Sequence, residues 1–137
     1  MDFTINFDSI NLLAVLAATL AANLLAGIWY APFALGRPWK SAAGIKKDTP
    51  LSNPPAAFTA AFMLQLIAAS LLAALLGPSG NVVEGVQLGA ILAFGFVFTA
   101  LSITNLFERR PVPLILINAG YHVAALMMMG AIIGAWR

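Results

Sequence analysis

The chain has no cysteine, a single histidine and few charges. The missing thiols exclude thiol catalysis, thiolate metal sites and disulfides. One histidine cannot complete a metal shell unless carboxylates join it. No Asp or Glu lies inside any of the long apolar stretches, so neither a metal site nor a cofactor is expected. Met127, Met128 and Met129 do not change this. Consecutive helical residues point about 100° apart, so only Met129 shares a face with His122. Charged residues make up 9% of 137, against about 25% in an ordinary soluble domain. A soluble domain of that balance would lack the polar surface to stay dissolved.

Catalytic constellations are missing too. Glu84 and Glu108 bracket one apolar stretch and would lie at its opposite ends, too far apart to work as an acid–base pair. No acid stands near His122 to complete a Ser-His-acid set. No catalytic residue is predicted, and the chain is not expected to be an enzyme. The net charge of +2 and the pI near 9.4 would suggest nucleic acid in a soluble protein. Here topology accounts for the basic residues, and no nucleic-acid partner is expected.

What is present is long charge-free runs. They extend from Asp8 to Arg37, Asp48 to Glu84, Glu84 to Glu108 and Arg110 to Arg137. Each holds the roughly 20 residues that cross a hydrocarbon core about 30 Å thick. The chain is therefore expected to be an all-α, polytopic membrane protein: one domain over residues 1–137, a four-transmembrane-helix bundle. The helices are placed at about 9–30, 54–76, 82–107 and 112–136, with a cytoplasmic loop at 31–53. Ser9 is expected to cap the first helix, and Pro32 to end it. Gly77-Pro78 breaks the second from the third. A cleaved signal peptide fits the start poorly, because no basic residue precedes the apolar stretch.

Orientation follows from the basic residues. Arg37, Lys40, Lys46 and Lys47 lie in the first loop, Arg109 and Arg110 in the third, and only Arg137 on the other side. The positive-inside tendency puts both termini outside, N-out and C-out. Trp29, Tyr30 and Trp39 would anchor the cytoplasmic interface and Trp136 the outer one. The first loop reads equally as an interfacial segment lying on anionic headgroups or as an ordinary basic loop.

Lipid tails are as apolar as leucine, so helices associate through close approach and hydrogen bonds. Ala14, Ala18, Ala22 and Ala26 form a small stripe on the first helix. Gly85 and Gly89 do so on the third, with Gly120, Gly130 and Gly134 on the fourth. More such faces exist than a single bundle can use internally. A homo-oligomer, dimer or trimer, is therefore expected, within the lipid bilayer or packed in a larger membrane complex. An Asn-Leu pair precedes each basic turn, at Asn23 and Asn105. A parallel two-plus-two hairpin repeat is one arrangement consistent with that pairing.

Polar residues within the spans include Asn23, Gln65, Thr99, Ser102, Asn118, Tyr121 and His122. Two readings stand. They line a site for a small polar ligand, an ion or a proton, with His122 the ionisable group well inside a span. Alternatively, they hydrogen-bond one another and lock helix register. The first makes the protein a transport-like or ligand-binding bundle, the second a structural or accessory subunit. On the second, His122→Leu would strand a polar partner.

Two stretches resemble a known family. They are NLLAGIWYAPFALG, from Asn23 to Gly36, and the run from Asn105 to the end, with NLFERRP, INAGYH and GAW. They are similar to the bacterial membrane family catalogued as domain of unknown function 1761. The resemblance implies a small four-helix membrane protein and carries no activity, cofactor or substrate.

Overall fold

The computed structural model describes residues 5–46, 49 and 53–136. Among these no strand occurs. Helix α1 is Leu12–Trp29, α2 Gly36–Ala43 and α3 Pro54–Leu76. Helix α4, Val82–Leu92, runs through a π-turn at Ala93–Val97 into α5, Phe98–Phe107. Helix α6 is Val112–Ala135. Four of these units are long and apolar enough to cross a membrane: Leu12–Trp29, Pro54–Leu76, Val82–Phe107 and Val112–Ala135. They are called the first to fourth spans below.

The caps explain the boundaries. Asn11, not Ser9, starts α1. Its side-chain oxygen accepts from the Leu13 and Ala14 N–H groups at 3.1 and 3.3 Å, filling the orphan donors of a helix N-terminus. Pro54 and Pro55 open the second span, where a missing N–H costs nothing. Asn81 and Glu84 form a reciprocal capping box at the start of the third. Glu84 is thus a cap. At the other end of that span Arg109 adopts φ 57°, and Arg110 N–H returns to the Asn105 carbonyl at 2.8 Å. Glu108 pairs with Arg110 inside this turn at 3.6 Å, with both side chains exposed.

The third and fourth spans are zipped backbone to backbone. A Cβ on Gly85 or Gly130 would overlap the other's carbonyl, one on Gly89 would overlap that of Leu126, and one on Gly134 that of Asn81. Ala14, Ala18 and Ala22 are fully buried where the first span meets the second and fourth. These small-residue faces, among which a surplus for self-association was expected, are in contact inside the protomer. The third span is the least buried of the four.

At the end carrying residues 30–53 and 108–111, here the loop end, α1 turns sharply into α2. Leu35 N–H donates to the Trp29 carbonyl at 3.0 Å and Gly36 N–H to that of Ala31 at 2.9 Å. A Cβ on Gly36 would collide with the Tyr30 and Ala31 carbonyls. The first loop thus contains a helix packed back on the bundle. Lys47, Asp48, Pro50, Asp2 and Arg137 lie outside the described residues.

Candidate functional site

Two features meet at the loop end: an aromatic–amide layer and a cleft. The layer ties the first, second and fourth spans together. Tyr121 Oη donates to the Ala22 carbonyl at 2.8 Å and receives a hydrogen bond from Gln65 Nε2. Tyr30 Oη donates to Asn118 Oδ1 at 2.7 Å. Trp29 Nε1 donates to the Ile117 carbonyl at 3.0 Å, and its ring lies over Gly120. Asn23 Nδ2 reaches the Phe58 carbonyl at 3.5 Å. The rings of Trp29, Tyr30, Trp39, Tyr121 and His122 form a chain of edge and tilted contacts, with centroids 5.0 to 6.4 Å apart.

Tyr30 follows the last residue of the first span. Burial, and then neighbouring Tyr121, push its pKa up to about 12. Its hydroxyl therefore stays protonated and holds Asn118. The sequence marked Trp29 and Tyr30 as interface anchors. The structure gives both a further task, as hydrogen-bond donors from the first span to the fourth. Trp39 stacks edge-on against Tyr30, and Trp136 is exposed at the opposite end, where its carbonyl accepts from Asn11.

Asn23, Gln65, Asn118 and Tyr121 thus each make a hydrogen bond between spans, with Tyr121 buried and the three amides half-buried. Two acceptors in this layer, Asn23 Oδ1 and Gln65 Oε1, are buried without a partner. The third-span residues do not join. Thr99 is exposed, and its hydroxyl turns back to the Gly95 and Phe96 carbonyls at 2.9 and 3.0 Å. Asn105 Nδ2 donates to Leu101 within its own helix, and the Ser102 hydroxyl is buried without a partner. His122 is half-buried and touches Tyr121 by ring contact, with no hydrogen bond among the described residues. Among the described residues there is thus no hydrogen-bond partner for His122→Leu to strand.

The cleft of about 500 Å³ lies beside this layer, between the start of the second span, the end of the first and α2. Ala26, Gly27, Ala57, Phe58 and Ala61 make its apolar floor. Tyr30, Trp39, Arg37 and Lys40 bring polar atoms to it. Tyr30 belongs to both features. None of the seven polar span residues singled out from sequence lines this cleft. A smaller recess continues from it, bounded by Arg37, Lys40, Ser41 and Ile45. Lys40 Nζ donates to the Thr49 carbonyl at 2.8 Å. No group of three or more metal-ligating side chains occurs among the described residues.

Four apolar helices of spanning length, closed by a glycine zipper and an aromatic–amide layer, define a small polytopic membrane protein. More particularly, the chain belongs to the family described as Protein of unknown function (DUF1761), whose model matches residues 13–134. No curated protein and no solved structure matches the chain.

Proposed function

We propose that this protein is a non-enzymatic, transport-like bundle that binds a small ligand with an apolar body in the cleft beneath α2. The cleft carries the reading. Its volume falls in the range of about 300–1,000 Å³ usual for small-molecule sites, and its lining is mostly apolar with a few converging polar groups. The mid-span amides support it indirectly: each makes a hydrogen bond between spans, and none lines the cleft. The same reading sets the loop end at the cytoplasmic face of a bacterial inner membrane. Its support is that Arg37, Lys40, Lys46, Arg109 and Arg110 all gather there.

The test uses Trp39, which lines the cleft. In a Trp136→Phe background in nanodiscs, a brominated monoacylglycerol should quench tryptophan fluorescence saturably. Ala57→Phe, which fills the cleft, should abolish the saturable part. Equal, non-saturating quenching in both proteins would refute the proposal.

A second reading, an accessory subunit that packs with copies of itself or in a larger complex, draws on the third span. That span turns Ile91, Phe94, Phe96, Ile103 and Phe107 outward. Native mass spectrometry from nanodiscs tests it: a dimer or trimer dispersed by Phe96→Ala supports it, and a monomer throughout counts against it.

A further inference from the structure

The geometry points to an anionic amphiphile as the ligand of this cleft: an acyl chain on the apolar floor, and a phosphodiester head held by Arg37. The inference rests on the cleft being a binding site, as proposed above, and specifies what enters it.

Three observations carry it. Arg37 lines both the main cleft and the recess that continues from it, so this cationic side chain stands at the junction of the two spaces. Among the described residues no acidic side chain lines either space. Arg37 is exposed, and among the described residues it makes no hydrogen bond or ion pair. Lys40 is different, since its ammonium is engaged with the Thr49 carbonyl. Ser41 also lines the recess.

Chemistry then selects the ligand. A guanidinium presents a planar fork of donors that matches two oxygens of one phosphate. A free oxyanion would leave the floor of Ala26, Gly27, Ala57, Phe58 and Ala61 unused. A neutral lipid would leave the guanidinium unmatched. A lipid carrying a phosphodiester satisfies both. The bilayer leaflet supplies it at the depth where headgroups and the first-span end meet.

The experiment compares brominated phosphatidylglycerol with brominated phosphatidylcholine of identical chains. Both are titrated into nanodiscs of a neutral host lipid, with tryptophan fluorescence of the Trp136→Phe protein as the readout. The expected result is about a fivefold preference for phosphatidylglycerol, equivalent to about 1 kcal/mol. Arg37→Gln should erase it, and Arg37→Lys should restore part of it. Lys46→Gln removes the same charge outside either lining and should leave the preference intact. Equal loss in Lys46→Gln and Arg37→Gln would show diffuse attraction to a basic loop and overturn the inference. Equal, saturable binding of both lipids, unaffected by Arg37→Gln, would overturn the head-group assignment and leave the cleft reading standing. No saturable binding of either lipid would remove both. Displacement of phosphatidylglycerol by millimolar inorganic phosphate would identify a free oxyanion as the ligand and likewise overturn it.

Discussion

Replacing Gly85 by alanine should destabilise the bundle, while the same change at Gly95 should not. A Cβ on Gly85 would lie 2.7 Å from the Gly130 carbonyl carbon and 3.3 Å from its Cα, where ordinary contact is 3.4–4 Å. The obstacle is backbone, so no side chain can swing aside. The third and fourth spans must separate, and the neighbouring contacts at Gly89 and Gly134 loosen with them. Overpacking of this kind costs about 1–3 kcal/mol. Alanine returns up to about 1 kcal/mol of helix propensity, and less in a membrane, where separated spans stay helical. The expected net loss is about 1–2 kcal/mol. Nothing lies within 4 Å of a Cβ on Gly95, so only the propensity gain applies there. Reversible unfolding in mixed detergent–SDS micelles, followed by tryptophan fluorescence, measures both variants. Gly130→Ala should match Gly85→Ala, because each glycine meets the other's carbonyl. If Gly85→Ala unfolds at the same SDS fraction as Gly95→Ala, the backbone zipper is not what holds these spans.

Tyr121→Phe removes the donor to the Ala22 carbonyl and the acceptor for Gln65 Nε2. It should cost about 1–3 kcal/mol in the same assay, since a buried amide is left unmatched. His122→Gln and His122→Leu should both leave stability nearly unchanged, because the ring has no hydrogen-bond partner among the described residues to lose. A large loss in the leucine variant would mean that the imidazole is bound to something after all. Gly36→Ala should detach α2 from the end of the first span, since its Cβ meets two backbone carbonyls. Faster proteolysis between α2 and the second span reads this out, and unchanged cleavage would refute it. The chain has no native cysteine, so Thr49→Cys and Ser79→Cys give clean labels. An impermeant maleimide added to intact cells should reach Ser79→Cys alone, and labelling of only Thr49→Cys would reverse the orientation.

The spans were legible because membrane crossing is a matter of length and charge, and the charged residues mark the limits directly. The glycine zipper was legible for a related reason. Glycine inside a helix costs propensity unless a neighbour comes close, and Gly85, Gly89, Gly130 and Gly134 each meet one. The capping box was in plain view as Asn81 and Glu84 three residues apart, although Glu84 was read only for its membrane side. Other features were beyond reach. The start of α1 at Asn11 rather than Ser9 depends on which of two good caps the chain uses. Nothing in Ala93–Val97 announces a π-turn, and its phase shift helps explain why Thr99 turns to the exterior. Tyr30 and Asn118 are 88 residues apart, and only the packed bundle brings them together.

The cleft is the most instructive case, because small residues are ambiguous. Between Ala14 and Ala22 they let the first span approach its neighbours, and the side chains are buried. One turn further on, the same kind of residue at Ala26, Gly27, Ala57 and Ala61 borders open space. Sequence places Ala26 in one packing stripe with Ala14, Ala18 and Ala22. Geometry separates them through the aromatic–amide layer. Tyr121 fills the junction where three spans meet, and Tyr30 and Trp39 stand beyond it as a wall instead of a plug. Gly36 then brings α2 back over the gap and sets Arg37 beside it. The element WYAPFALG thus has a physical account. Its aromatics tie the first span to the fourth and wall the cleft, its proline lines it, and its glycine permits the turn. That turn makes the cleft and the charge beside it parts of one local structure, so a ligand that uses both is the one the structure favours.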